Sequence, residues 1–243
     1  MKTDLPLRHR LIPFVLQTIA WFFPSWPLSK FFLHFKTRGV ENVDRAFALA
    51  KERGVGVLFC PNHLSEFDPI LILQGMRPLS KAFPMFYVIY SPSSYKDRAL
   101  FGWRAFLYGE IFFLSWGAHA LNVGKKDYAV ALEPHVPILN AGHPLTIFPE
   151  GTTSKDGTLQ PARGGAGYLI MKTRPIVVPI RISGLEMMRG SDFWFRRRHA
   201  LVVYGNPILP EEVITESMRE DNPDDCKAVS VAVFDRVKNL PIA

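Results

Sequence analysis

The chain has 243 residues, of which 48% are hydrophobic and 21% are charged, a balance typical of one globular domain with a sizeable core. Its two cysteines cannot form a disulfide framework, which excludes disulfide-stapled small folds and favours a reducing compartment. The net charge of +7 favours anionic partners, namely a phospholipid surface, phosphorylated substrates or nucleic acid. The chain has no RNA-binding aromatic signature, zinc-finger spacing or Arg-rich helix, so we expect no nucleic-acid partner.

The N-terminal segment, residues 1–35, is expected to associate with a membrane. Residues 11–29 are uncharged and aromatic-rich, and this run approaches the length of about 20 residues that a membrane span needs. Three prolines interrupt the run, and its two tryptophans favour a membrane–water interface. The pattern therefore predicts one or two short helices lying in one leaflet, in a peripheral or monotopic protein at the cytoplasmic face. The alternative is a buried N-terminal hairpin packed on the domain.

Residues 36–243 are expected to form one α/β domain. Apolar runs of strand length alternate with helical patterns, which indicates a three-layer domain with a mostly parallel central sheet. The predicted strands are 55–60, 84–90, 110–115, 145–148, 176–182 and 200–204. The predicted helices are 42–52, 69–76, 97–107, 127–141, 164–172 and 225–238. We interpret residues 186–199, which mix aromatic side chains with arginines, as a basic loop and a candidate membrane contact.

A first motif follows the predicted strand 55–60, which runs into Asn62 and His63. On a continuous helix or strand, His63 and Asp68 would point in different directions, so the chain must turn between them if they are to meet. Asp68 is a good N-cap and Pro69 suits the first helical position, so a helix is expected to start there. His63 would then lie at the carboxyl end of a strand, the edge at which open α/β sheets bind ligands.

The side chains of this motif suit base catalysis on a hydroxyl group. Neutral imidazole can take up a proton near neutral pH, and a carboxylate on its other nitrogen fixes the tautomer and stabilises the imidazolium. The alternative is that Asp68 is only a cap and His63 an ordinary loop histidine. A zinc hydrolase is disfavoured because His63 has no second histidine nearby, and a serine hydrolase because the chain has no Gly-x-Ser-x-Gly motif.

A second motif follows the predicted strand 145–148, where Pro149-Glu150-Gly151-Thr152 forms a turn. Gly151 permits positive φ or a close backbone approach. Glu150 can accept hydrogen bonds from a polyol or hold the turn, and Thr152 can donate one. Because Glu150 lies 87 positions after His63, only a folded domain can bring the two motifs together.

Together these segments resemble the glycerolipid acyltransferases of the lysophosphatidic acid acyltransferase family, which have the PlsC-like, glycerol-3-phosphate acyltransferase-like fold. The family signature is Asn-His-x4-Asp, then Phe-Pro-Glu-Gly-Thr-Arg-Ser, then a Val-Pro-Ile/Val strand. The matching segments lie within residues 36–205 and are Asn62-His63…Asp68, Phe148-Pro149-Glu150-Gly151-Thr152-Thr153-Ser154 and Val178-Pro179-Ile180.

The resemblance implies a phospholipid-biosynthetic reaction at a membrane, in which a fatty acyl group moves from acyl-CoA or acyl-carrier protein to the sn-2 hydroxyl of 1-acylglycerol-3-phosphate. His63 would be the general base and Asp68 its orienter. The residues implied to bind the acceptor are Asn62, Glu150, Gly151 and Thr152. No cofactor, metal ion or covalent acyl-enzyme is expected.

The chain departs from the family at the cations thought to bind the acceptor phosphate. Thr153 stands where the family has arginine, and a second family arginine corresponds to Lys125, or to Lys126. Arg163 would keep one cation at the site, in a segment similar to the family's Leu-x-Pro-Phe-Lys-x-Gly-Ala. Arginine binds phosphate with a bidentate fork and lysine does not, so another lysophospholipid or lipid acceptor remains an alternative, which Thr153 supports. A second alternative is a lipid-binding homologue that has lost catalysis, against which the His63 and Asp68 pair argues.

Overall fold

The computed structural model describes residues 5–90, 110–122, 127–188 and 190–242 of the chain. These ranges contribute seven strands to one sheet: β1 Lys36–Arg38, β2 Val57–Pro61, β3 Phe86–Ile89, β4 Ala118–Ala120, β5 Pro144–Thr146, β6 Ile176–Ser183 and β7 Leu201–Tyr204. Their spatial order is β1-β7-β6-β2-β5-β3-β4. Strands β2 to β6 are parallel, whereas β7 is antiparallel to β6 and parallel to β1. The predicted mostly parallel sheet is confirmed.

Helices cover both faces of this sheet, as the predicted three-layer architecture requires. The α-helices of the described ranges are α1 Leu7–Ala20, α2 Trp26–Phe32, α3 Val40–Arg53, α4 Asp68–Gln74, α5 Glu110–Ser115, α6 Tyr128–Ala131, α7 Val136–Asn140, α8 Gly165–Thr173, α9 Gly190–Trp194 and α10 Pro223–Lys238. Two 3-10 turns lie at Glu133–His135 and Pro210–Glu212. The strands predicted around β2, β3, β5, β6 and β7 and the helices predicted around α3, α4, α8 and α10 agree with these bounds to within a few residues.

Strand β2 carries the first motif and is buried on both faces. Val57 and Phe59 pack into a hydrophobic cluster with α3 and α4, whereas Leu58 and Cys60 join a second cluster with α7, α8 and α10. Successive side chains of a strand point to opposite faces, so a strand covered on both sides needs an unbroken apolar run. The end of this run therefore stays fixed between two packed layers.

The strand predicted at 110–115 is wrong, because these residues form helix α5. Ile111 and Leu114 are 85% and 44% exposed, so the apolar run does not enter the sheet. Helix α5 packs against α1 instead. A short apolar run does not reveal by its periodicity whether it is a strand or a helix, and the packing partner decided this one.

The other differences come from prolines and from very short elements. The helix predicted at 127–141 is divided into α6, the 3-10 turn and α7, because Pro134 and Pro137 lack the N–H group that would continue it. Strands β1 and β4 are three residues long and were not predicted. Residues 186–199 include helix α9 and are not a loop throughout. The helix predicted at 97–107 lies outside the described residues.

The N-terminal segment packs on the domain through one face. Helices α1 and α2 are joined by a π-type turn at Trp21–Ser25 that is kinked at Phe23. The buried amide of Gln17 donates hydrogen bonds to the carbonyl oxygens of Met85 (2.7 Å) and Trp116 (2.9 Å) and accepts one from the N–H of Met85 (2.8 Å). None of the helices in the described ranges has the length and apolar character needed to cross a membrane.

The other face of the segment exposes large apolar side chains. They are Leu7, Leu11, Ile12, Val15, Leu16, Ile19, Phe22, Phe23, Leu28 and Phe31. The packed arrangement expected from a buried hairpin therefore coexists with an apolar surface of the kind expected from a membrane-associated helix.

Candidate active site

The two sequence motifs meet at the carboxyl edge of the adjacent parallel strands β2 and β5. The backbone N–H of His63 donates to Glu150 Oε1 at 2.7 Å, and the N–H of Ser154 donates to the carbonyl oxygen of His63 at 2.9 Å. Hydrogen bonds on both sides of His63 thus join segments that are 87 positions apart. The edge is the one at which open α/β sheets bind ligands.

Asp68 holds the imidazole of His63 in one orientation. Its Oδ2 lies 2.8 Å from His63 Nδ1 and also accepts hydrogen bonds from the N–H groups of Leu64 (2.6 Å) and Ser65 (2.9 Å). The hydroxyl of Ser65 donates to Oδ1 at 2.8 Å. Because Asp68 is fully buried and surrounded by donors, its oxygens act as acceptors and the network assigns the imidazole proton to Nδ1. Nε2 therefore keeps the lone pair that a general base needs.

Helix α4 begins at Asp68 with Pro69 next, as the sequence predicts, but the carboxylate has a different role from the one expected of a cap. The N-cap is Phe67, and no side-chain hydrogen bond caps the helix. The Asp68 side chain turns back to the loop that carries His63. The sequence pattern therefore locates the helix start, and the loop donors determine where the carboxylate points.

The remaining sides of the His63 ring are also occupied. The ring stacks on Phe148, with centroids 4.0 Å apart and an interplanar angle of 25°. The hydroxyl oxygen of Thr153 lies 3.0 Å from Nε2. The His63 side chain keeps 19% of its surface exposed. Thr153 stands where the family pattern has arginine, and the sequence did not predict its contact with His63.

The carboxylate of Glu150 holds the loop of the first motif by a hydrogen bond. It is 1% exposed, and its Oε2 accepts a hydrogen bond from the N–H of Gln160 at 2.6 Å, in addition to the bond from His63. Burial raises the pKa of the Glu150 carboxyl, and the hydrogen bonds from Gln160 and His63 oppose that rise. Of the two roles left open by the sequence, holding the turn is the one that these contacts describe.

Gly151 and Arg163 form the wall of the site beside this turn. Gly151 has φ 65°, and a Cβ atom there would lie 3.0 Å from Arg163 Cδ, so the turn requires glycine. The backbone of Arg163 is fixed by a hydrogen bond from its amide N–H to the carbonyl oxygen of Pro149 at 2.8 Å. Its Nη1 lies 3.2 Å from the hydroxyl of Tyr90. Thr152 is exposed next to Gly151.

Asn62 lies inside the protein, where its side chain bonds to strand β6. Asn62 is fully buried, and its amide donates to the carbonyl oxygen of Ile182 (3.0 Å) and accepts from the N–H of Ile182 (2.7 Å). The amide thus extends the pairing of β2 with β6 and positions the start of the motif. Lys125 and Lys126 lie outside the described residues.

Arg181 on β6 is a further cation near the site that the sequence reasoning missed. Its Nε and Nη1 are buried without a hydrogen-bond partner among the described residues. Burial lowers the pKa of this guanidinium, and attraction to Glu186 and Glu150 opposes the shift. A charged residue inside an otherwise apolar strand is the sequence signal that marks this position. Within the described ranges, no three His, Cys, Asp or Glu side chains gather where they could hold a metal ion.

Comparison with known proteins gives one family and several named relatives. The Acyltransferase family matches residues 34–183 of the chain. The 1-acyl-sn-glycerol-3-phosphate acyltransferase of Limnanthes douglasii is 29% identical over 140 residues, which cover 56% of this chain and 46% of the relative. A protein of the same name from Cocos nucifera is 28% identical over 111 residues, which cover 44% of this chain and 35% of the relative. The chain therefore spans less than half the length of these two relatives.

Two further comparisons cover nearly the whole chain. A putative 1-acyl-sn-glycerol-3-phosphate acyltransferase of Caenorhabditis elegans, acl-2, is 22% identical over 232 residues, which cover 91% of this chain and 77% of the relative. The crystal structure of the 1-acyl-sn-glycerophosphate (LPA) acyltransferase PlsC from Thermotoga maritima has a TM-score of 0.55, at 16% identity and 97% coverage of both chains. At that identity the likeness concerns the fold, which agrees with the PlsC-like fold expected from the motifs.

Proposed function

The chain belongs to the Acyltransferase family, and we propose that it transfers a fatty acyl group from acyl-CoA or acyl-carrier protein to the sn-2 hydroxyl of 1-acylglycerol-3-phosphate. The observation that carries this proposal is the His63 imidazole, with Nδ1 bonded to buried Asp68 and Nε2 directed away from it. The acceptor is suggested by the names of the relatives, which are 1-acyl-sn-glycerol-3-phosphate acyltransferases.

In the proposed reaction, His63 Nε2 accepts the proton of the acceptor hydroxyl while its oxygen attacks the carbonyl carbon of the acyl thioester. The new C–O bond forms, the C–S bond breaks, and the proton passes from His63 to the leaving thiolate. Asp68 stabilises the imidazolium that exists between these steps. Positioned base catalysis of this kind accelerates a reaction by about 10² to 10⁴-fold.

The proposed acceptor site lies beside the Gly151 turn. Arg163 has a fixed backbone and a guanidinium within reach of Tyr90, so it can present a cation to an acceptor phosphate without a large loss of side-chain freedom. We assign Lys125 the same function on the family resemblance alone. Thr152, exposed on the turn, would donate a hydrogen bond to the acceptor.

We also propose that the enzyme works on a phospholipid membrane, at the cytoplasmic face. Helix α9 and the residues that follow it join the exposed face of the N-terminal segment. Phe193 of the helix stacks on Phe32 with centroids 4.9 Å apart, and Arg196 after the helix lies 4.1 Å above the ring of Phe31. Trp194 and Phe195 are 67% and 69% exposed. We call α1, α2 and residues 190–198 the apolar–basic face. Exposed aromatic side chains beside arginines suit an anionic lipid interface.

One aromatic contact links the apolar–basic face to the loop that carries His63. Phe67, between His63 and Asp68 in the first motif, is 41% exposed and lies parallel to Phe193, with centroids 6.5 Å apart. A membrane against the face would therefore lie next to the loop that carries His63. A lysophospholipid could then reach the base without leaving the lipid surface completely.

A second candidate function is transfer to another lysophospholipid or lipid alcohol. The observation that favours it is Thr153, because a neutral hydroxyl occupies the position beside Nε2 where the family has a cation. Transfer to such an acceptor would still use His63 and Asp68, and only part of the contacts to a phosphate would be missing.

An acceptor panel tests the proposed function and separates it from the second candidate. The purified chain would be supplied with labelled acyl-CoA or acyl-carrier protein on liposomes that contain one lysolipid at a time. We expect lysophosphatidic acid to give the highest kcat/KM, and Arg163→Ala to raise the KM for it more than it lowers kcat. A preference for a lysolipid without a phosphomonoester would select the second candidate, and lipid binding without turnover on any acceptor would reject both.

A further inference from the structure

We infer that the hydroxyl of Thr153 is a positioning group that occupies the proton-accepting nitrogen of His63 until the acceptor hydroxyl replaces it, and that it thereby keeps water from hydrolysing the acyl donor. The inference rests on the proposed function and adds a control of that same site. Thr153 would not itself form a bond to the acyl group.

The direction of the hydrogen bond follows from the buried end of the network. Asp68 Oδ2 accepts from two backbone N–H groups as well as facing His63 Nδ1, so Nδ1 carries the imidazole proton. Neutral imidazole then has one acceptor atom, Nε2. In the neutral ring, therefore, the hydroxyl of Thr153, whose Oγ1 lies 3.0 Å from that atom, is the donor.

An acceptor substrate must compete with Thr153 for this position. The single lone pair of Nε2 lies in the plane of the ring and accepts one strong hydrogen bond, so the substrate hydroxyl cannot bond there while Thr153 does. Phe148 covers one face of the ring, which leaves few other approaches. The acceptor must therefore displace the hydroxyl of Thr153 before His63 can take up its proton.

Release of this contact requires only a side-chain rotation. The turn is held by hydrogen bonds from the N–H of Gly151 to Phe148 O (3.0 Å) and from the N–H of Ser154 to His63 O (2.9 Å), one on each side of Thr153. A change of χ1 between staggered positions moves the hydroxyl away from Nε2 and leaves these backbone bonds intact. The backbone can thus stay in place while the acceptor hydroxyl enters.

Water is the competitor that matters when no acceptor is bound. A water molecule on Nε2 could attack the thioester carbonyl: its oxygen would bond to the carbonyl carbon, the C–S bond would break, and the proton would pass through His63 to the thiolate. The products would be a free fatty acid and the free thiol. Water must displace the hydroxyl of Thr153 from Nε2 before it can use this base, and it does so less readily than an acceptor that is held at the site by its other contacts.

The test compares hydrolysis with transfer in Thr153→Ala, Thr153→Ser and the wild type, with exposed Thr215→Ala as the matched control. Fatty acid and free CoA are measured from acyl-CoA without acceptor, and acylated product with acceptor. We expect Thr153→Ala to raise the ratio of hydrolysis to transfer about three- to tenfold, the effect of one lost hydrogen bond of ordinary strength. Thr153→Ser and Thr215→Ala should keep the wild-type ratio.

A measurement without turnover accompanies this assay. The ¹⁵N resonance of His63 Nε2 in labelled protein reports the hydrogen bond, and it should shift in Thr153→Ala and not in Thr215→Ala. An unshifted resonance, or an unchanged ratio in Thr153→Ala, would overturn the inference. An acyl adduct on Thr153 in the intact mass would also overturn it, because the residue would then be a nucleophile. Absence of transfer by the wild type with every donor and acceptor would reject the proposed function and the inference with it, whereas an unshifted resonance in an active enzyme would reject the inference alone.

Discussion

At the scale of single residues, the site depends on side chains whose polar atoms are already used by the loop. Asp68 has four donors around its two oxygens, and Glu150 accepts one backbone N–H on each oxygen. These contacts leave His63 with one defined tautomer and with Nε2 facing the hydroxyl of Thr153. Geometry of this kind keeps the base in place while the hydroxyl of Thr153 is replaced by that of the acceptor.

Asp68→Asn tests this arrangement. An amide can keep its oxygen toward His63 Nδ1 and its NH2 group toward the hydroxyl of Ser65, but it lacks the negative charge that stabilises the imidazolium. We expect kcat to fall by at least about 10²-fold. Acyl transfer is measured under saturating substrates, and the far-UV circular dichroism of the variant shows whether it is folded at the assay temperature. A folded variant with more than a tenth of the wild-type kcat would contradict the role of Asp68.

At the scale of secondary-structure elements, the N-terminal helices are tied to the sheet by a buried polar contact. Gln17 satisfies the N–H and carbonyl groups of Met85 just before β3 and the carbonyl oxygen of Trp116 just before β4. Leucine has a similar volume but no polar atoms, so Gln17→Leu leaves buried backbone groups without partners. We expect the free energy of unfolding to fall by about 1–3 kcal/mol.

Chemical denaturation measures this difference. Val15→Leu, on the exposed face of the same helix, is the control and should change the stability by less than about 0.5 kcal/mol. Equal stability of Gln17→Leu and the wild type would show that the helix is not held to the sheet by this amide.

Strand β4 carries a histidine that makes stability depend on pH. Burial, together with the charges of His135 and His9, lowers the pKa of His119 to about 4. The unfolded chain takes up this proton near pH 6.5, so the unfolded state binds more protons than the folded state between pH 6.5 and about 4. The stability that His119 provides is fully present above about pH 6.5 and is lost as the pH falls toward 4.

His119→Gln removes this titration and keeps the backbone carbonyl that accepts a hydrogen bond from His135. The loss of stability from pH 7 to pH 4.5 should therefore be smaller in the variant, by up to about 2–3 kcal/mol. Denaturant unfolding at both pH values gives the difference. Parallel pH profiles of the two proteins would show that His119 is protonated equally in both states.

Some of these elements could be predicted from local sequence signals, and others could not. The apolar run of β2 and the Asp68-Pro69 pair are local signals, so the strand and the helix start could be predicted from them. The six residues of α5 carry no such signal, and their contact with α1 decided their conformation. The contact between Thr153 and His63 joins two loops that are 90 positions apart, so it depends on the strand order β2 next to β5, which the sequence does not contain as a local pattern.

At the scale of the whole molecule, arginines and exposed apolar side chains lie together on the apolar–basic face. The chain has a net charge of +7, while acids of the stretch 210–225 are partly paired with bases, as in Glu211 with Arg53 and Glu220 with Lys172. The apolar–basic face carries exposed aromatic side chains, and the guanidinium groups of Arg196 and Arg197 lie over the rings of Phe31 and Phe195. An anionic bilayer would meet both properties at once.

Arg197→Ala tests the charge on this face. Its guanidinium lies 5.2 Å above the ring of Phe195, at the exposed end of the face. A basic residue near an anionic surface contributes about 1 kcal/mol, so binding to vesicles that contain phosphatidylglycerol should weaken by about fivefold. Lys51→Ala removes an equal charge from helix α3 and should not change binding. Equal loss in both variants would indicate attraction by net charge and not by this face.

The direct test of whether His63 is the base of an acyl transfer is the acylated product formed by the wild type and by His63→Ala, with exposed His199→Ala as the control. Labelled acyl-CoA and lysophosphatidic acid would be supplied on liposomes to each purified, folded protein. This role of His63 predicts product from the wild type and from His199→Ala, and a rate lower by about 10² to 10⁴-fold for His63→Ala. A folded His63→Ala variant with more than a tenth of the wild-type rate would contradict it.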